Sequence, residues 1–96
     1  MRYGIILAPE AIDDLKRLSA RARAKLEDAL KIHLRYQPTK TSRSRIKRLR
    51  GLSRPQYRLR VDELQVFYDV KERRVEILAI VTKPDAAAWL AREGRK

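Results

Sequence analysis

The stretch "YRLRVDELQVFYDVKERRVEILAIV" (residues 57–81) decides the fold, because it carries three β-strand patterns separated by two short turns. Tyr57, Leu59 and Val61 alternate with polar residues, and the same period of two continues through residues 64–70. Residues 75–81 are almost continuously apolar, which predicts a central strand buried on both faces. Three consecutive strands with short turns predict an antiparallel meander.

The residues before this meander predict one strand and two helices. Residues 2–7 alternate, and Pro9 suits the first position of a helix, where no N–H is needed. The apolar face of this first helix is formed by Ile12, Leu15 and Leu18. Ser19 is expected to cap a second helix. The stripe of that helix consists of Ala22, Leu26, Ala29, Leu30 and His33. Because almost no residues separate the two helices, we expect an antiparallel helical hairpin.

The rest of the chain completes the predicted fold. Residues 37–44 are rich in Pro, Ser and Thr and predict a loop. Pro84 is expected to open a short last helix that carries Trp89 and ends at Gly94. The 96 residues suit a single domain, residues 1–96. The predicted class is α+β, with an N-terminal strand, a two-helix hairpin, a three-stranded antiparallel meander and a short C-terminal helix.

The positive charge is concentrated in one segment. The formal net charge is +12, and residues 29–61 contain no carboxylate. The cations of this segment, which supply +11, are Lys31, Arg35, Lys40, Arg43, Arg45, Lys47, Arg48, Arg50, Arg54, Arg58 and Arg60. An even distribution would be expected if basicity served only solubility. This asymmetry therefore favours a polyanionic partner, namely nucleic acid, an anionic membrane or an acidic protein segment.

Composition excludes several classes of chemistry. The chain has no cysteine and one histidine, which argues against thiol catalysis and makes a zinc site improbable. We expect no metal and no cofactor. The longest strongly apolar run is too short to span a bilayer, and the apolar block at residues 5–8 is too short for a signal peptide. The sequence therefore predicts a cytoplasmic protein without a membrane partner.

The order of these elements and the local sequence resemble a known superfamily. "KRLRGLSRPQYRLRV" (residues 47–61), followed by "VFYDV" and "EILAIV", resembles the RelE/ParE superfamily of bacterial toxins, and so does "LAPEAIDDLKRL" near the N-terminus. The most specific match is residues 49–52 leading into residues 57–60. This resemblance implies the toxin of a type II toxin–antitoxin system, with a cognate acidic antitoxin as partner in an oligomeric complex.

The superfamily contains two activities. RelE-like members cleave messenger RNA on the ribosome by attack of the ribose 2′-hydroxyl on the adjacent phosphate, and ParE-like members inhibit DNA gyrase by binding it. We predict the metal-independent ribosome-associated endoribonuclease, with the gyrase inhibitor as the alternative. A basic nucleic-acid-binding module without toxicity is a third hypothesis, but it leaves the toxin-like order of elements unexplained.

Alternation places Arg58 and Arg60 on one sheet face, roughly 7 Å apart at ~3.4 Å per residue, which suits two guanidinium groups gripping one phosphodiester. The resemblance aligns them with basic catalytic residues of RelE-like toxins, which are commonly lysines. Lys83 matches a late catalytic arginine. We therefore predict catalytic roles for Arg58, Arg60 and Lys83.

The resemblance also reveals departures. Gln65 stands where many members have an arginine, and Trp89 where the best-known RelE-like toxins have a tyrosine. Both are predicted to position the nucleotide, although Trp89 is equally consistent with covering the sheet. No residue is an evident general base, and His33 is expected to be a packed or edge histidine. The remaining predicted substrate contacts are Lys40, Arg43, Arg45, Lys47, Arg48 and Arg50.

Overall fold

The computed structural model describes residues 2–96 and contains five strands and three helices. In chain order they are β1 (Gly4–Leu7), α1 (Pro9–Lys16), α2 (Ala20–Leu34), β2 (Ile46–Arg48), β3 (Tyr57–Val61), β4 (Leu64–Lys71), β5 (Arg74–Thr82) and α3 (Lys83–Glu93). The α+β class and the predicted order of strand, two helices, meander and C-terminal helix are confirmed. Pro9 begins α1, the Ser19 hydroxyl accepts a hydrogen bond from Ala22 N, and Gly94 caps α3, as predicted.

All five strands form one sheet in the order β1-β5-β4-β3-β2. The strands β3, β4 and β5 are the predicted antiparallel meander, and β1 pairs in parallel with the first half of β5. The turn between β3 and β4 places Asp62 at φ 52°, and the turn between β4 and β5 places Glu72 at φ 58°. Both are left-handed positions in tight hairpins, where Asp is a common choice.

A bulge in β5 determines which of its apolar residues face each side of the sheet. Phe67 of β4 pairs with Ala79 and the next residue, Tyr68, pairs with Ile77, so Leu78 is an extra residue in β5. Ile77 and Ile80 consequently pack with α1 and α2. On the opposite face α3 covers a smaller cluster formed by Phe67, Leu78, Ala79, Ala86 and Trp89. The bulge places Leu78 and Ala79 on the same side of the sheet, toward α3, whereas strict alternation would turn Ala79 toward the two-helix layer.

The buried carboxylate of Asp14 accepts a hydrogen bond from the backbone of β5. The β1 strand ends opposite Ile77, which leaves the following part of the β5 edge without a strand partner. Asp14 is only 8% exposed and its Oδ2 accepts a hydrogen bond of 2.9 Å from Ile80 N. Its other oxygen lies 2.5 Å from the Arg17 guanidinium. At this position a side chain of α1 thus provides the hydrogen-bond acceptor that a neighbouring strand would otherwise provide.

The loop before β3 is held against β4 by side-chain hydrogen bonds. Gln56 N donates to Asp69 Oδ1 at 2.7 Å, and Val70 N donates to Gln56 Oε1 at 2.8 Å. Residues after α3 return to the same loop, where the backbones of Arg54 and Arg95 exchange hydrogen bonds. These contacts fix the start of β3, the strand that carries Arg58 and Arg60.

Two details of the sequence prediction were wrong. The strand β2 was not predicted, because it has only three residues, two of them charged, and lies at the sheet edge. In α1, the predicted apolar face included Ile12, which is 40% exposed, whereas Ala11 and Asp14 are buried. A buried aspartate is invisible to a search for apolar periodicity, because its partner is a backbone N–H far along the chain.

We expect Asp14→Ala to destabilise the fold by about 1–3 kcal/mol, because it leaves the buried Ile80 N–H without an acceptor. Asp13→Ala is the matched control, since Asp13 is exposed on the same helix. Urea unfolding of both variants measures the difference. Equal midpoints for the two variants would show that the Asp14 carboxylate contributes nothing.

Candidate functional site

A strip of basic and polar side chains lies on the sheet face that α3 covers in part. In an antiparallel pair, residues directly opposite each other share a face. Arg58 is paired with Phe67 on one side and with Lys47 on the other, and Arg60 is paired with Gln65. Phe67 faces α3, so the face is the one opposite the two-helix layer. We call Lys47, Arg58, Arg60 and Gln65 the basic strip.

The cations of the basic strip have no carboxylate partners. Within residues 2–96, no Asp or Glu lies within 4.0 Å of Lys47, Arg58 or Arg60 as an ion pair. The Nε of Arg58 is buried and has no hydrogen-bond partner among the described residues. Burial, and secondly the charge of Arg60, lower the pKa of Arg58. An anion that accepts from Arg58 Nε and neutralises both arginines would relieve both effects.

Lys83 lies at the end of the strip. Its backbone N–H donates to Glu63 O at 3.0 Å, which ties the first residue of α3 to the turn between β3 and β4. Gln65 pairs with Val81, two residues before Lys83. Lys83, which is exposed, therefore lies at the same end of the sheet as Arg60 and Gln65. The strand β4 lies between Lys83 and Arg60, and Arg58 lies two residues further along β3.

The structure separates the other predicted substrate contacts into different places. Arg48 lies on the opposite face, where its guanidinium is 5.2 Å from the centre of the Tyr57 ring and donates to Gln56 O. Lys40 and Arg45 line a cavity beside the C-terminal end of α2. Exposed positions outside the strands are occupied by Arg43 and Arg50. Of the predicted basic contacts, Lys47 lies opposite Arg58 in the sheet, and Arg45, just before β2, accepts a backbone hydrogen bond of 2.9 Å from Arg60 N.

Trp89 is part of the core rather than of an accessible surface. Its side chain is 5% exposed, and its ring stacks on Phe67 with centroids 4.9 Å apart. Its Nε1 donates to Glu10 Oε2 at 2.6 Å, which joins α3 to α1. With one ring face against Phe67 and its N–H bonded, the indole has the role of covering the sheet. The alternative of a base-stacking residue does not fit this environment, and we do not include Trp89 in the site.

His33 forms a contact that sequence analysis did not anticipate. Its Nε2 lies 2.6 Å from Arg45 Nη1. A guanidinium can only donate, so Nε2 is the acceptor and the imidazole is neutral. Burial, and secondly the charge of Arg45, lower the pKa of His33. The prediction of an edge histidine describes its half-buried position, but nothing in the spacing of the two residues pointed to their pairing.

Known structures match this architecture closely. The archaeal RelE–RelB complex from Pyrococcus horikoshii OT3 contains a chain with 21% sequence identity and a TM-score of 0.71, over 86% of this chain and 97% of that one. The toxin–antitoxin complex RelBE2 from Mycobacterium tuberculosis gives 20% identity and a TM-score of 0.71, over 86% of this chain and 100% of that one. This chain has the RelE fold.

A third similar structure is the YoeB dimer from Staphylococcus aureus, with 21% identity and a TM-score of 0.61 over 82% of this chain and 94% of that one. No model of a known protein family matches the sequence, and a search of curated proteins found no match. The predicted RelE-like fold is therefore confirmed by structure.

Two further features characterise the RelE-fold chain. Among residues 2–96, no three His, Asp or Glu side chains are close enough together to hold a metal ion. None of the helices in the same residues combines the length and the apolar character needed to cross a bilayer. The basic strip itself offers cations and an amide, and no carboxylate or imidazole.

His33 makes a testable contribution to the pH dependence of stability. Its pKa in the folded chain is lower than the unfolded value of 6.5, so the unfolded chain binds the proton more tightly. The contribution of His33 is present above pH 6.5 and is lost as the pH falls toward its folded pKa. We expect urea midpoints to fall more between pH 8 and pH 5 for the native chain than for His33→Gln. Parallel pH profiles would contradict this prediction.

Proposed function

We propose that the chain is the toxin of a type II toxin–antitoxin pair, a cytoplasmic endoribonuclease that cleaves messenger RNA on the ribosome without a metal ion. The proposal is supported by the RelE fold, since two similar structures, RelBE2 from Mycobacterium tuberculosis and RelB–RelE from Methanococcus jannaschii, are toxin–antitoxin complexes. The observation that carries it is the unpaired Arg58–Arg60 pair on the open part of the sheet. Adjacent cations that are not neutralised repel each other in the folded chain. Binding of an anion beside them would therefore be favourable.

The geometry suits electrostatic catalysis of phosphodiester cleavage. In the proposed reaction the ribose 2′-oxygen attacks phosphorus and loses its proton, and the bond to the 5′-oxygen breaks as that oxygen takes up a proton. The products are a 2′,3′-cyclic phosphate and a 5′-hydroxyl. Arg58 and Arg60 would stabilise the charge that develops on the phosphoryl oxygens. Partial burial of Arg58 strengthens this effect, because the interaction is less screened by water.

Lys83 and Gln65 would have supporting roles. An ammonium group at the end of the strip is suited to protonating the leaving 5′-oxygen or to stabilising its negative charge. The Gln65 amide, beside Arg60, can donate to a phosphate or a base but adds no charge. Arginine stays protonated at neutral pH and is a poor base. The proton of the 2′-hydroxyl would therefore leave to solvent or to a ribosomal or RNA group.

The second candidate is a ParE-like protein that binds DNA gyrase without catalysis. Two observations favour it. The basic strip contains no general base, and Trp89, which replaces a tyrosine of RelE-like toxins in the predicted alignment, is buried and hydrogen-bonded to Glu10. The same strip of cations would then be a docking surface for an acidic protein.

Induction of the gene in cells separates the two candidates. Message integrity and plasmid supercoiling are followed in parallel after induction. Rapid cleavage within messages, with unchanged supercoiling, supports the nuclease. Intact messages with relaxed plasmid and DNA breaks support the gyrase inhibitor. Neither effect, in cells that accumulate the folded chain, would contradict both toxin functions.

If the basic strip acts in catalysis, substitutions in it should slow the chemical step. We expect Arg60→Ala and Lys83→Ala to reduce the single-turnover rate on saturating programmed ribosomes by at least ~100-fold, in line with removal of one preorganised donor. Replacement of Lys40 or Arg43 should instead lower the affinity for the substrate and make that affinity less dependent on salt. The cleavage rate of bound substrate should be largely retained. Rapid-mixing cleavage assays measure both effects.

Arg21→Ala is the matched control for these variants, because Arg21 is an exposed arginine of α2 outside the strip and the β2 segment. Each variant is first shown to unfold at the native urea midpoint. Small and equal effects at every basic position would mean that the strip only binds, and the gyrase hypothesis would then be preferred.

The charge distribution also predicts how the antitoxin would bind. An acidic, amphipathic segment laid across Arg58 and Arg60 would neutralise the strip and shield it from RNA. Formation of the complex should therefore accelerate at low salt. Stopped-flow association at several ionic strengths measures this. A rate that stays constant from low to high salt would place the antitoxin elsewhere on the chain.

A further inference from the structure

An open cleft lies at the sheet edge, between α2 and the end of the β2–β3 pair. Its volume is about 270 Å³. The polar groups that line it are Lys25 and Asp28 of α2, His33, Arg45, Arg60 and Asp62. His33 and Arg45 also line the neighbouring cavity beside residues 36–46, which Lys40 borders. The cleft therefore joins the basic strip, through Arg60, to the cations near the end of α2.

The charges in this cleft do not cancel. Lys25 Nζ and Asp62 Oδ2 are 2.6 Å apart and neutralise each other. Asp28 remains as one carboxylate, and no ion pair within residues 2–96 engages it. The cleft also contains two positively charged guanidinium groups, Arg45 and Arg60, and the neutral imidazole of His33. The balance favours an anion.

The positions of the two arginines are fixed by backbone and side-chain contacts. Arg60 N donates to Arg45 O at 2.9 Å, which extends the β2–β3 ladder by one hydrogen bond and keeps the two residues adjacent. Arg45 N is bonded to the Ser42 hydroxyl at 3.1 Å. His33 Nε2 accepts from the Arg45 guanidinium and so directs it toward the cleft. Such positioning lowers the entropy lost when the guanidinium binds a ligand.

We propose that Arg45 and Arg60 form a second phosphate subsite, with His33 as the residue that positions Arg45, and that it binds a phosphodiester of single-stranded RNA next to the one held by Arg58 and Arg60. The inference rests on the proposed function in taking RNA as the ligand. It extends that function by defining a path for the RNA. The RNA would run from the open sheet face, past Arg60 at the end of β3, toward the end of α2.

A phosphodiester fits this cleft better than a carboxylate side chain of a partner. Arg60 belongs to both subsites, and a nucleic acid strand carries one negative charge per nucleotide, so adjacent phosphates meet adjacent arginines without a gap. The planar guanidinium can also bind two phosphate oxygens at once.

The histidine provides a direct spectroscopic test, because it is the single histidine of the chain. A bound phosphodiester takes over from His33 Nε2 as acceptor of the Arg45 guanidinium and brings a negative charge near the ring, and both changes favour the protonated imidazole and oppose the effects that lower its pKa in the free chain. The pKa of His33 is measured by NMR from its Hε1 resonance, with and without a short single-stranded RNA whose ribose at the cleavage position is 2′-deoxy. We expect the RNA to raise the pKa of His33 by about one unit or more.

Variants distinguish a bound phosphate from the general field of the RNA. Arg45→Gln should abolish most of the RNA-induced pKa shift, weaken RNA binding roughly tenfold and reduce the salt slope by about one. Arg21→Gln, outside the cleft, should change none of these. His33→Gln keeps an oxygen that accepts from Arg45 and should retain RNA affinity, whereas His33→Leu should lose as much as Arg45→Gln. Both histidine variants should bind RNA with a reduced pH dependence.

Several outcomes would overturn the proposal. A His33 pKa that is unchanged at saturating RNA is one, and a native affinity for Arg45→Gln is another. An acidic peptide that shifts the His33 resonance where RNA does not would assign the cleft to a protein partner. Message cleavage in cells with an unshifted His33 would remove the subsite and leave the nuclease. A shifted His33 without message cleavage would support the subsite and remove the nuclease.

Discussion

The register shift between β4 and β5 is the constraint on which the rest of the structure depends. By placing one extra residue, Leu78, in β5, it puts Leu78 and Ala79 on the same side of the sheet and returns Ile80 to the side of Ile77. One side receives the two N-terminal helices and the other receives α3. Without the shift, strict alternation would turn Ala79 toward the two helices and Ile80 toward α3. Because α3 covers only part of its face, the remainder stays open along β3.

The sequence predicted this architecture wherever a pattern repeats over several residues. The alternation in β3 and β4 and the apolar run of β5 gave the meander, and the face shared by Arg58 and Arg60 followed from the period of two. The structure supplied what depends on contacts between distant segments. The buried Asp14 bonds the backbone of Ile80, and Trp89 bonds Glu10, across 66 and 79 residues of chain. No local pattern encodes such partners.

The basic residues illustrate the same limit at the site. A count of cations treats Lys47 and Arg48 alike, yet they are neighbours on a strand and point to opposite faces. Pairing with β3 puts Lys47 opposite Arg58 and leaves Arg48 over the Tyr57 ring. The opposite orientations of Lys47 and Arg48 follow from the strand β2, which the sequence did not predict. The pairing of His33 with Arg45 likewise depends on how the segment after α2 returns to the sheet.

The carboxylate of Asp14 has a consequence for how copies of the chain meet. An unpaired strand edge is a template on which another chain can add a strand, and this leads to aggregation. The edge of β5 beyond Ile77 is closed at Ile80 by Asp14, and on the far side of the sheet Ser42 N already donates to Ile46 O. Another strand therefore cannot form hydrogen bonds at either position without displacing these contacts. In a chain with a formal charge of +12, strand addition is therefore opposed in two independent ways, by charge repulsion at long range and, at these two positions, by hydrogen bonds that are already formed.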